Sequence, residues 1–149
     1  MGIQLTEKEF RKLNISSQPV VRKQASQVTF FIPGEFTQLN DYIDAERGSM
    51  YAAADIKKKE TARAENACDG VPALNRYPVN ITFHWFRKDR RVDPDNIAFS
   101  EKFVLDGLVH AGILKDDGMH EISQLCHQFT IDRDNPGVEV SIISVSQKG

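Results

Sequence analysis

Cysteine is scarce in this chain: there are two in 149 residues, Cys68 and Cys126, far apart and without C-x-x-C spacing. That excludes a disulfide framework, and both thiols are expected to be reduced and buried, as in an intracellular, cytoplasmic protein. Zinc is badly provided for as well. Cys126-His127 and His120 are the nearest candidates, yet adjacent positions on a strand point to opposite faces. Long apolar runs are missing: nothing approaches the roughly 20 residues of a membrane span, and no signal-peptide pattern opens the chain. No membrane is therefore expected. Met1-Gly2 with Thr6 fits the letters of a myristoylation pattern, which is short enough to arise by chance. The chain also lacks a strong charge of either sign. With 19 basic and 21 acidic residues its formal charge is −2, so bulk electrostatics point to no partner. Repeats and low-complexity tracts are absent too, which argues against solenoids and disordered tails.

What is present is ordinary in bulk, 40% hydrophobic and 27% charged residues over a length that suits one domain with its own core. Residues 1–26 read as an N-terminal extension or tether: Thr6 can cap a short helix over "TEKEFRKL", and a run containing Ser, Gln and Pro follows. The domain proper is expected over 27–149. "VTFFI", from Val28, predicts a strand stopped by Pro33-Gly34, and "EFTQLN" a loop. The Ala, Glu and Lys content of "DYIDAERGSMYAAADIKKKETARAENA" predicts a helix, with Gly48 weakening its first part. "VNITFHWF" alternates Val79, Ile81, Phe83 and Trp85 against Asn80, Thr82, His84 and Phe86, the pattern of a half-buried strand. A second helix is expected from about Asp95 to Ala111, ended by Gly112. Two strands, "ISQLCHQFTI" and "VEVSIISVS", finish the chain around the turn "DRDNPG". The order predicts a mixed α/β (α+β) fold, a mixed sheet of about four or more strands with two main helices.

One stretch asks for more than a fold. In "RRVDPDNIAF", Pro94 fixes φ and disfavours helical geometry at Asp93, while Asp95 or Asn96 is a good helix cap. One capping side chain suffices. Here two carboxylates stand close to Arg87, Lys88, Arg90 and Arg91. Along the helix Ile97, Val104, Leu105, Leu108 and Ala111 mark the core side. Asp95, Lys102 and Asp106 share the other, because steps of seven and eleven residues return a side chain to within about 20° at roughly 3.6 residues per turn. Asp116 and Asp117 follow in the turn "LKDDGMHEI". The helix runs away from Asp93 for about 25 Å, so Asp117 rejoins only if loop and strand fold back along it. Caps and turns are the ordinary explanation of each acidic cluster, and Lys57, Lys58 and Lys59 ordinarily form a solvated helix face. A calcium loop is excluded, since Ala98 and Val104 stand where Gly and Glu are needed. Cations beside paired carboxylates suit another task, holding a phosphodiester backbone next to a carboxylate-bound divalent ion.

"RRVDPDNIAFSEKFVLDGLVHAGILKDDGMHEI" resembles the signature of the RusA-type Holliday junction resolvases, commonly encoded by prophages: D-x-D-N, then Lys and Asp-x-Leu on a helix, then Asp-Asp. "FFIPGEFTQLNDYI" is similar to that family's opening strand and its Pro-Gly, Asn-containing loop, while residues 1–26 have no counterpart. The resemblance implies a cytoplasmic, metal-dependent endodeoxyribonuclease that nicks four-way DNA junctions symmetrically as a homodimer in recombination and repair. It makes Asp93, Asp95 and Asp117 the ligands of Mg²⁺ or Mn²⁺ and Lys102 the catalytic-site lysine. Arg87, Lys88, Arg90, Arg91, Lys57, Lys58 and Lys59 would hold flanking phosphates. In the family pattern the lysine follows D-x-D-N sooner. Here Phe99-Ser100-Glu101 set Lys102 about one turn, roughly 4.5 Å, further along the axis. Two alternatives stay open: a DNA-binding protein of this type that has lost cleavage, and a phage regulatory module whose acidic turns are only caps.

Overall fold

The structure, a computed structural model, describes residues 23–145; the helix expected over "TEKEFRKL" lies outside them. It is an α+β fold built on two short paired strands and a four-stranded mixed sheet. Strands β1 (Gln24–Ala25) and β2 (Gln27–Pro33) lead into helices α1 (Leu39–Gly48) and α2 (Met50–Ala67). Strands β3 (Ala73–Leu74) and β4 (Val79–Arg87) come next, then helices α3 (Pro94–Ala98) and α4 (Glu101–His110), and finally β5 (Ile122–Ile131) and β6 (Gly137–Ser144). The large sheet has the order β2-β6-β4-β5, with β4 and β5 parallel and the other neighbours antiparallel. β1 pairs with β3, so Gln24 and Ala25, counted above with the extension, take part in a small parallel sheet.

The alternation in β4 is the centre of the fold. Val79, Ile81, Phe83 and Trp85 are buried on the helix side, where Val138, Val140 and Ile142 of β6 meet them, whereas Asn80, Thr82, His84 and Phe86 are half-buried on the other side. Val28 and Ile32 of β2 extend the same core, and Phe103, Val104 and Leu108 of α4 close it from above. Each such side chain, fully buried, contributes about 1.5–3 kcal/mol. Gly107 lets α4 cross α2 closely: a Cβ there would lie 2.6 Å from the Ala64 side chain and 2.8 Å from the Glu65 backbone nitrogen.

Two expected helices are each divided. The first breaks at Ser49, whose extended backbone (φ −169°, ψ 137°) ends α1 while its hydroxyl accepts the Tyr51 N–H that starts α2. The second breaks between Ala98 and Glu101. Phe99 and Ser100 keep right-handed dihedrals, but Ser100 N–H bonds back to Ile97 and Lys102 N–H to Phe99, three residues apiece. These tighter turns change the rotation per residue, so the face expected to join Asp95 to Lys102 is not carried by one regular helix. Gly112 follows α4 with φ 79°, the left-handed conformation expected of a residue past a helix end. Cys68 is buried as expected, but Cys126 is only half-buried because β5 is an edge strand.

Candidate functional site

The loop from β4 to α3 is held by an acid that lies far upstream in the chain. Glu35 Oε2 accepts the Lys88 backbone N–H at 2.8 Å and pairs with Arg87 Nε at 3.3 Å, while Arg87 Nη1 donates to the Phe36 carbonyl at 3.5 Å. Arg87 is thereby committed to fixing the end of β4 rather than facing solvent. The segment around Glu35 is itself tied down. Arg63 donates to the Pro33 and Glu35 carbonyls and lies 3.8 Å over the Phe36 ring, Thr37 N–H donates to Glu60 at 2.7 Å, and Ser100 Oγ donates to the Thr37 carbonyl at 2.7 Å. Burial holds the Arg63 guanidinium below its usual pKa range, and Glu60 opposes that shift.

On this support stand Asp93 and Asp95. Asp93 is the N-cap residue of α3 by position, with Pro94 at the first helical place, yet its side chain makes no capping hydrogen bond. Both carboxylates are exposed, and among the described residues neither takes part in an ion pair or a side-chain hydrogen bond. Capping does not account for Asp93. Arg90 is exposed beside them, Arg91 makes a loose 3.8 Å pair with Asp89, and Lys88 is exposed at the β4 end. Lys102, in the first turn of α4, is also exposed and unpaired among the described residues, Asp106 included.

The remaining candidates lie elsewhere. Asp117 is exposed just before β5, in a loop pinned where Tyr77 Oη accepts the Lys115 N–H at 3.0 Å and the Glu121 carbonyl accepts the Val79 N–H at 2.8 Å. Those contacts put it at the start of β4. Asp93 follows the end of β4, and the β4–β5 register from Val79↔Ile122 to Arg87↔Ile131 is parallel. The two aspartates therefore belong to opposite ends of a ladder about 26 Å long at roughly 3.3 Å per residue. The return along the helix is made by β5, not by the loop that carries Asp117. Accordingly, no three His, Cys, Asp or Glu side chains among the described residues are gathered so as to hold a metal ion. Within one chain the expected ligand set does not fit Mg²⁺. Lys57, Lys58 and Lys59 are exposed on α2; Lys57 and Lys58 line a groove against α4 together with Glu65, Asp106 and His110. Lys59 is bonded to Asp55 at 2.9 Å, which raises its pKa.

Sequence reasoning missed Glu35 altogether, and it named Glu101 and His127 without finding that they pair with each other. Their partners are distant in the chain, and no local spacing announces them. The exposed apolar side chains of the sheet edge also escaped notice. Leu125, Phe129 and Ile131 of β5 are 38–40% exposed, and Met119, beside Asp117, is 95% exposed. No helix among the described residues is long and apolar enough to cross a membrane. Compared with protein-family models and with curated proteins, the chain finds no match.

Proposed function

We propose that this chain is a divalent-metal-dependent endodeoxyribonuclease of the RusA type, acting on four-way DNA junctions as a homodimer. The observation that carries this reading is the pair Asp93 and Asp95: two exposed carboxylates that, among the described residues, are engaged by neither capping nor ion pairs, beside the exposed cations Lys88 and Arg90. A carboxylate that capped the helix or closed an ion pair would be spent on structure, and among the described residues these two are not. The cations would hold phosphates, as point charges or through the guanidinium fork.

Dimerisation answers the separation of Asp117. Among the described residues the ten-residue strand β5 is an edge strand, unpaired on its outer side, with Leu125, Phe129 and Ile131 exposed. Such an edge is a template for pairing. Antiparallel pairing with the β5 of a second copy reverses the direction of the ladder, so that Asp117 of the second copy would come to the Ile131 end. β4 ends there too, and Asp93 follows. Three carboxylates, two from one copy and one from the other, suit Mg²⁺ by donor chemistry. When bound, such an ion would supply neutralising charge and an activated water. Lys102 would add positive charge at the scissile phosphate.

Because the three acids do not converge in one chain, binding without cleavage is the reading to test against. Synthetic four-way junctions and plain duplex, incubated with the protein and Mg²⁺ with or without a chelator, separate the two. Paired, chelator-sensitive nicks in the junction are expected. Junction binding with no nicking in Mg²⁺ or Mn²⁺ would leave only the binding role, and equal indifference to junction and duplex would remove both.

A further inference from the structure

His127 sits on the helix side of β5, stacked on Phe83 at 5.2 Å and within 6.2 Å and 6.3 Å of the Trp85 and Phe129 rings. Its two nitrogens are both used. The Trp85 indole N–H donates to Nδ1 at 2.9 Å, and Nε2 meets Glu101 Oε2 at 2.9 Å. An indole nitrogen can only donate, so Nδ1 must be the acceptor and the ring proton belongs on Nε2, where it is donated to Glu101. The imidazole is therefore neutral in this arrangement. It links β4, β5 and the first residue of α4. A proton on Nδ1 would set two N–H groups against each other and break the Trp85 bond; Glu101 is the one acidic group paired with the ring among the described residues.

We infer that His127 is a positioning residue: through the Trp85–His127–Glu101 chain it fixes the amino end of α4, and hence Lys102, against the edge strand β5. The consequence for Lys102 rests on the proposed nuclease reading; the mechanical link does not. Glu101 belongs to the three residues that separate Lys102 from the family spacing. Anchoring it to the sheet fixes the backbone from which the exposed Lys102 side chain springs, and small displacements of a catalytic group can reduce rates by as much as roughly a hundredfold.

Trp85 is the only tryptophan, so its fluorescence reports the link directly. Loss of the Nδ1 acceptor leaves the indole N–H without that partner, so a variant lacking the acceptor is expected to shift Trp85 emission from that of the parent. His127→Gln can still accept from Trp85 and donate to Glu101, and should keep emission close to the parent. His127→Phe keeps the stacked ring without either hydrogen bond. It should exchange the backbone amides of residues 101–104 faster, with His127→Gln close to the parent. In single-turnover nicking of a saturated junction, the Phe variant should be roughly tenfold to a hundredfold slower at unchanged junction affinity, and the Gln variant should recover most of the rate. Parental emission or parental amide exchange in His127→Phe overturns the link. Faster exchange with parental nicking overturns its role in positioning Lys102. A parent that never nicks rejects the nuclease reading, and with it the role for Lys102, while emission and exchange still judge the link.

Discussion

Asp93 precedes a helix whose first turn its side chain does not cap, so at the scale of single residues capping leaves its role to be tested. Replacing Asp93, Asp95 or Asp117 by Asn should lower junction cleavage by roughly a hundredfold or more, the scale of losing an electrostatic contact to a transition state. Junction affinity should hold or rise, since each change removes a negative charge beside phosphate. Gel-shift and nicking assays on the same preparations measure both, and normal nicking by any one variant removes that residue from the site. Arg90 and Arg91 replaced by Ala should weaken DNA binding and reduce its logarithmic salt slope by about 0.9 per phosphate contact. An unchanged slope would mean that they face away from DNA. Lys102→Ala should lower the single-turnover rate while barely altering affinity, as for a group acting mainly in the transition state. Arg90, Arg91, Asp93 and Asp95 were singled out from "RRVDPDNIAF" and Asp117 from "LKDDG", and the structure leaves all five exposed. The commitment of Arg87 was not legible in the sequence, because what decides it is Glu35, which no local pattern connects to it.

At the scale of elements, strands were read more accurately than helices. Alternation along β4 and the turn residues after β5 state their own geometry, since every second side chain must face the core. The helix breaks are tertiary. Ser49 is extended where the chain turns from α1 into α2, and Ser100 is drawn to the Thr37 carbonyl, so both hydroxyls stabilise a break that composition alone reads as continuous helix. Gly107 is the opposite case, a helix-interior glycine required by packing. Ala would gain roughly 1 kcal/mol of helix propensity there, but its Cβ would stand 2.8 Å from the Glu65 backbone nitrogen, which cannot swing aside. Overpacking of this kind costs about 1–3 kcal/mol, so the clash outweighs the propensity. Gly107→Ala is expected to be less stable by up to about 2 kcal/mol, with a lower urea midpoint at unchanged slope. Parental or greater stability would show that the two helices separate at little cost.

For the whole molecule the question is whether one copy or two make a site. The parallel register of β4 and β5 puts Asp93 and Asp117 at opposite ends of the sheet, a fact of topology that no motif spacing could reveal. Antiparallel joining of two β5 edges would bring them together across the two-fold. Charged substitutions at Leu125 and Phe129, which are already 38% exposed, should leave the fold intact but produce monomers by sedimentation, with cleavage lost alongside. Mixing inactive variants provides a sharper measurement. If each site takes Asp93 and Asp95 from one copy and Asp117 from the other, a heterodimer of Asp93→Asn with Asp117→Asn concentrates both lesions in one site and leaves the second complete. Sites built within single chains would each carry one lesion, and the mixture would stay inactive. Co-refolding the two variants and assaying single nicks in a junction should therefore recover a substantial part of the parental nicking rate, while paired nicking remains impaired. A mixture as inert as its parents, with heterodimers verified by differential tagging, would mean that the site is not shared between copies.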